Sequence, residues 1–121
     1  MKIQEQKWHD FTRLLITEYN PIEILGSVQV ELYNEPQDDY GTTAYIYALW
    51  VDDHNRRMGI AKRLMDAVEA EIKKRGHKVV ALQWKLEDTP REIFQWYERR
   101  GYKEKAFDGR ATWALMVKEL N

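Results

Sequence analysis

A strand, a basic turn and a helix in direct succession set the terms for how this chain can fold. The apolar run Ala44-Tyr45-Ile46-Tyr47-Ala48-Leu49-Trp50-Val51 reads as a strand, and Asn55-Arg56-Arg57-Met58-Gly59-Ile60-Ala61-Lys62 follows it. Ile60, Leu64, Val68 and Ile72 then recur on one face of a helix predicted from about Met58 to Arg75, with Gly76 as its C-cap. Lys78 to Leu86 carries Val79-Val80-Ala81-Leu82, a continuous apolar run expected of a strand covered on both faces. A strand, helix and strand of these lengths make a parallel pair with a right-handed crossover. Ligands of such sheets bind beyond the carboxyl ends of the strands, here near Val51 and Trp84.

The start of that helix is electrostatically unusual. The first turn of any helix has N–H groups without internal partners, and its dipole favours negative charge there. This one has no Asp or Glu in the turn; Arg56 and Arg57 lead in, and Lys62 and Arg63 follow. An external anion such as a phosphate would suit it, with Gly59 and Ala61 keeping side chains off the backbone. The same residues also fit an ordinary Arg-rich loop in which Gly59 eases a turn.

Around this unit the chain reads in order. Residues 3 to 18 suggest a helix, with Ile3, Trp8, Phe11, Leu14 and Leu15 as its stripe and Asn20-Pro21 as its end. Ile22 to Tyr33 alternates as a strand, with a bulge at Gly26. A polar turn through Asp38 joins it to the strand Thr42 to Val51, and this antiparallel hairpin places Glu31 opposite Ala44 or Tyr45. Thr89-Pro90-Arg91-Glu92 is a capping box with proline at the first helical position. The helix it opens carries Ile93, Trp96, Tyr97 and Arg100 on one face and ends at Gly101. Tyr102 to Phe107, a turn at Asp108-Gly109-Arg110 and Thr112 to Lys118 make a closing hairpin.

Residue inventory removes several classes of function. A single domain over residues 1–121 is expected, with a formal net charge of −1 that gives no case for nucleic acid or membrane. Without cysteine there is no disulfide, thiolate metal site or Cys nucleophile, which fits a reducing cytoplasm. No run is long enough to span a membrane, and the N-terminus does not open a signal peptide. His9, His54 and His77 share no ligand spacing, so no metal site is expected. Ser27, the only serine, sits in a strand without a nucleophile elbow. Glu35, Asp38, Asp39, Glu87 and Asp88 read as solvated loop charges.

Two motifs together resemble a known family. Arg-Arg-Met-Gly-Ile-Ala at 56–61 is similar to the (Gln/Arg)-x-x-Gly-x-(Gly/Ala) signature of the GNAT superfamily of N-acyltransferases. Leu82-Gln83-Trp84-Lys85-Leu86 followed by Phe94-Gln95-Trp96-Tyr97-Glu98-Arg99-Arg100-Gly101-Tyr102 resembles that family's later strand and helix. The likeness runs from about Ile24 to Leu120. It implies an α/β (α+β) fold: a GNAT-like mixed sheet of about five to six strands, a central parallel pair joined by a helix, and flanking helices.

The resemblance also implies a reaction: acetyl-CoA as cosubstrate, with its acetyl group passed to a primary amine by direct attack. The pyrophosphate would take N–H groups from about Met58, Gly59, Ile60, Ala61 and Lys62, with charge from Arg56 and Arg57. The pantothenate arm would pair with backbone groups of Leu49, Trp50 and Val51 where the two central strands splay. Tyr97 matches the tyrosine that protonates the leaving thiolate, though from the residues alone it reads as a core aromatic.

Departures from the pattern matter as well. The family's Asn near the start of the later helix is Pro90 here, and the strand Thr42 to Val51 has no Glu to act as base. Glu31 is the nearest substitute, with Tyr45 or a water wire as alternatives. The usual first strand and a helix are not seen, which leaves an edge to be covered by the N-terminal helix or by a second subunit. A GNAT-like domain that binds acyl-CoA or a protein partner without transferring anything is the competing reading. The acceptor, whether small molecule or peptide amine, is not legible.

Overall fold

The computed structural model describes residues 1–85, 90–107 and 113–121. Among the described residues, seven strands and two α-helices follow one another as β1 (Lys2–Lys7), β2 (Phe11–Tyr19), β3 (Ile24–Tyr33), β4 (Ala44–Val51), α1 (Ile60–Lys74), β5 (Val79–Lys85), α2 (Arg91–Arg99), β6 (Lys103–Phe107) and β7 (Trp113–Glu119). A short 3-10 turn, Asp53–Asn55, lies between β4 and α1. All strands join one sheet in the order β1-β2-β3-β4-β5-β7-β6, antiparallel except for the parallel β4–β5 pair.

The five strands expected from the hairpins and the central unit are all present, and Glu31 lies opposite Tyr45. The N-terminal helix is not. Residues 3–18 form a hairpin instead, turning at His9-Asp10, where the Trp8 amide donates to the Phe11 carbonyl (2.9 Å). The apolar stripe at helical spacing was coincidental. Leu14 and Ile16 are fully buried while their neighbours are only partly so, the period of two that a sheet imposes. Pairing with β3 along nearly its whole length then decides the matter, since sheet packing outweighs weak local propensity. The expected bare edge is therefore not on β3, which pairs with β2. It has moved outward to the wholly exposed β1, which is blunted by Lys2, Glu5 and Lys7.

Both helices lie on one face of the sheet. Ile60, Leu64, Met65, Val68 and Ile72 of α1 are buried against Leu14, Ile16, Val28, Val30 and Leu32, each contributing roughly 1.5–3 kcal/mol of burial. Phe94, Trp96 and Tyr97 of α2 pack on the same cluster, as does the fully buried Tyr102. Ile93, expected on that inner face, is 44% exposed; Phe94 takes the position. Pro90 is the cap residue rather than the first helical one. The Thr89 cap, Glu87, Asp88 and the 108–110 turn lie outside the described residues.

The opposite face carries a smaller cluster of Ala81, Leu115 and Val117 with Tyr45 and Val79. The β3–β4 loop crosses it, with Tyr40 donating its hydroxyl to the Lys105 carbonyl on β6 (2.9 Å). Asp38, read as a solvated charge, is the hub of that loop. Its carboxylate accepts from the Tyr40 amide (2.9 Å), the Thr42 amide (3.2 Å) and the Tyr45 hydroxyl (2.6 Å).

Candidate functional site

The central parallel pair comes apart shortly after it forms. β4 and β5 are in register only at Ala44–Val80, Tyr45–Ala81 and Ile46–Leu82. Beyond these, β5 stays with β7 through Lys85–Trp113, and β4 stays with β3 through Gly26–Val51. A wedge therefore opens between the two strands, and the β4 backbone facing it has no strand partner.

A bulge on β4 opens this wedge. Ala48 and Leu49 together oppose Val28, and Ala48 has φ 54°, a left-handed backbone that costs a non-glycine residue about 1–2 kcal/mol. The extra residue inverts the alternation: Ala44 and Ile46 face the helices before it, Leu49 and Val51 after it. Trp50 comes to lie opposite Ser27. Gly26 allows the approach, because a Cβ there would lie 2.7 Å from the Trp50 carbonyl oxygen and 3.0 Å from Leu64.

The turn after β4 is held by its own polar groups. Asp52 anchors to β3 through its amide and the Leu25 carbonyl (2.9 Å), and its carboxylate accepts from the His54 amide and the Asn55 side chain. Arg57 and Gly59 both adopt left-handed backbones, φ 69° and 76°. α1 starts at Ile60 with no side-chain cap and no acidic residue in its first turn. Its first bond runs from the Arg63 amide to the Gly59 carbonyl (3.0 Å), so the amides of Gly59, Ile60, Ala61 and Lys62 make no backbone hydrogen bond. A Cβ at Gly59 would meet nothing nearer than the Arg63 guanidinium at 3.5 Å. The segment from Arg56 to Gly59 is exposed, as an anion cradle requires.

The positive charge there is less free than the sequence implies. Arg56 pairs with Asp53 (2.8 Å), Lys62 with Asp66 (2.8 Å), and Arg63 with Glu18 on β2 (2.6 Å) while also donating to the Met58 carbonyl (3.0 Å). The hydrogen bond from Arg63 holds the Glu18 carboxyl below its ordinary value. Arg57 alone of the four makes no ion pair among the described residues. The exposed pairs of Arg56 and Lys62 are weak and easily exchanged for a better anion.

Tyr97 and Glu31 lie on opposite faces of the sheet. Tyr97 stands edge-on to Trp96 and Tyr102, with ring centroids 5.1 and 5.9 Å away, and its hydroxyl has no hydrogen-bond partner among the described residues. Burial pushes its pKa up, against the opposing pull of the Arg100 charge. Glu31 accepts from Arg13 on β2 (3.2 Å). Arg13 in turn lies over the Trp8 and Phe11 rings, at 5.0 and 5.9 Å. Tyr33 and Tyr47 on the same face are raised, first by burial and then by the Glu31 charge. Of this row the sequence singles out Glu31 and Tyr45, the latter bound to Asp38, but not Arg13, Tyr33 or Tyr47. The alternation of Arg13 with Leu14, and of Tyr45 and Tyr47 with Ile46, was the available signal.

Among the described residues no group of three His, Asp or Glu could hold a metal ion, and no helix is long and apolar enough to cross a membrane.

Comparison with known proteins bears on this geometry. An N-acetyltransferase, PaiA, from Thermoplasma acidophilum, whose crystal structure is in complex with coenzyme A, superposes with a TM-score of 0.71 at 19% identity, over 92% of this chain and 62% of that one. An acetyltransferase from Bacillus cereus gives 0.71 at 21% identity, over 91% and 74%. The ribosomal-protein-S18-alanine N-acetyltransferase from Escherichia coli gives 0.71 at 13% identity, over 95% and 72%. These likenesses concern the fold. No curated protein matches the sequence. The family model described as an acetyltransferase (GNAT) domain matches residues 10–104, and with that span the chain belongs to the GNAT acetyltransferase family.

Proposed function

We propose that the protein is an acetyl-CoA-dependent N-acyltransferase acting on a small-molecule or peptide amine. The observation that carries this reading is the β4–β5 wedge running directly into an uncapped, side-chain-poor helix start. Four partnerless amides, no first-turn carboxylate and open space at Gly59 form a donor set that fits a diphosphate. Arg57, and Arg56 and Lys62 released from their carboxylates, would add charge. Backbone groups of Leu49 to Val51, left without a strand partner on the β5 side, would hold the amide-rich arm of the same molecule by strand-like pairing.

Bound acetyl-CoA supplies an activated thioester whose carbonyl carbon accepts the amine nitrogen as the carbon–sulfur bond breaks. The chain's own residues then have proton work to do. Tyr97, kept neutral by burial, would give its hydroxyl proton to the departing thiolate from the helix side of the sheet. Glu31, through water, would take the proton lost by the nitrogen from the opposite side. Because Glu31 lies opposite Tyr45, where β4 is still paired with β5, its proton would have to travel by water from the wedge that opens beyond Ile46–Leu82.

A second reading has one observation in its favour. Glu31 is already engaged by Arg13, and β4 carries no carboxylate, so the domain would bind acyl-CoA without transferring the acyl group. Calorimetric titration with acetyl-CoA, followed by thiol detection against a panel of amines, separates the two. Binding with thiol release supports the transferase, binding alone supports the second reading, and no binding removes both.

A further inference from the structure

We infer that Glu69 is a positioning residue that fixes α2, and with it Tyr97, relative to the anion-binding end of α1. This rests on the role given above to Tyr97. Glu69 lies nine positions after Ile60 on α1, about 13 Å along the helix, and its side chain is only 11% exposed. One carboxylate oxygen accepts from Arg100 (2.9 Å) and Lys118 (3.0 Å), and the other accepts from the Tyr102 hydroxyl (2.7 Å). All three donors come from outside α1. Arg100 is the C-cap of α2, Tyr102 follows it, and Lys118 is on β7.

The contacts converge on Tyr97. The Arg100 and Tyr102 amides both donate to the Tyr97 carbonyl (3.0 and 3.1 Å), and the Tyr102 ring stands edge-on against the Tyr97 ring. Arg100 also lies 5.5 Å over Trp96 and reaches Asp66 (2.9 Å), which holds Lys62. Charge-assisted hydrogen bonds from Asp66 and Glu69 thus tie α1 to the last turn of α2, and they stay in place if Lys62 leaves Asp66 for an anion. Nothing in general helix packing calls for a nearly buried carboxylate there; an apolar side chain would serve stability as well. The polar arrangement has direction where an apolar contact would slide, and an acid that must meet a sulfur atom tolerates little displacement.

The test uses Glu69→Gln and Tyr102→Phe, the second removing one hydroxyl and nothing else. Three measurements are made on each: calorimetric CoA affinity, thiol release, and the ring-carbon resonance of Tyr97 in tyrosine-labelled protein, assigned with Tyr97→Phe. The expected result is a CoA affinity within about twofold of the parent, turnover lowered about tenfold or more at unchanged KM for acetyl-CoA, and a displaced Tyr97 resonance. A Tyr97 resonance that stays in place in both variants overturns the inference. So does turnover that falls only as far as the folded fraction does. If the parent releases no thiol with any amine, the proposed reaction fails while the resonance still decides the positioning.

Discussion

Placing a carboxylate at position 59 tests the anion cradle most directly, because its effects separate. Gly59 has φ 76° and open space around its would-be Cβ. Any non-glycine residue there costs about 1–2 kcal/mol of backbone strain, which falls on stability and is the same for Gln and Glu. A carboxylate at a helix N-terminus returns about 0.3–1 kcal/mol through the dipole, so Gly59→Glu should be slightly more stable than Gly59→Gln. Binding behaves in the opposite way. Against two phosphate charges at about 5 Å, with an effective dielectric constant of about 40, the added charge costs about 3 kcal/mol. That is about a hundredfold in Kd for CoA relative to Gly59→Gln. Calorimetry at low and high salt measures it, and the gap should narrow as salt screens an exposed site. Equal Kd values for the two variants, once both are shown to be folded, would refute a diphosphate seated at Gly59.

Other expectations follow from the same geometry. Tyr97→Phe should lower turnover about tenfold or more while leaving CoA affinity within about twofold, as seen by pairing steady-state kinetics with calorimetry; unchanged turnover would remove Tyr97 from the chemistry. Gly26→Ala must displace the Trp50 carbonyl or Leu64, costing about 1–3 kcal/mol in urea unfolding and weakening CoA binding through the wedge. Burial opposes the Asp38 charge, but hydrogen bonds from Tyr45, Thr42 and Tyr40 outweigh it and hold the carboxyl below its ordinary value. Its contribution to stability is therefore complete above about pH 4 and is lost as the pH falls through the depressed value. Asp38→Asn should flatten that acid limb in unfolding measured by fluorescence.

Much of the local geometry around the candidate site could be seen in the chain because its cues are local. The uncapped start of α1, the glycine before it and the apolar stripe behind it occupy consecutive residues, and the structure places the helix start at Ile60 with residues 56–59 exposed. The hairpin register that sets Glu31 against Tyr45 also followed from counting across one turn. Readings failed where a distant partner decides. Residues 3–18 carry a tolerable helical stripe, yet β2 is a strand because β3 offers it nine paired positions. Nor does any local cue mark Glu69, whose carboxylate is claimed by Arg100, Tyr102 and Lys118 from beyond its own helix.

What the residue order determined alone is the strand–turn–helix–strand unit and the uncapped, glycine-led start of its helix, since φ-permissive glycine, amide donors and helical periodicity act over a few residues. Tertiary structure decided where β4 and β5 part, which face of the sheet each of Tyr97 and Glu31 occupies, and which basic side chains remain uncommitted. Those outcomes depend on a one-residue bulge, on strand neighbours far apart in the chain, and on carboxylates such as Glu18 that reach Arg63 from 45 positions away. Pairing energies of that kind are comparable to or larger than local propensity, and one added residue inverts every side chain beyond it.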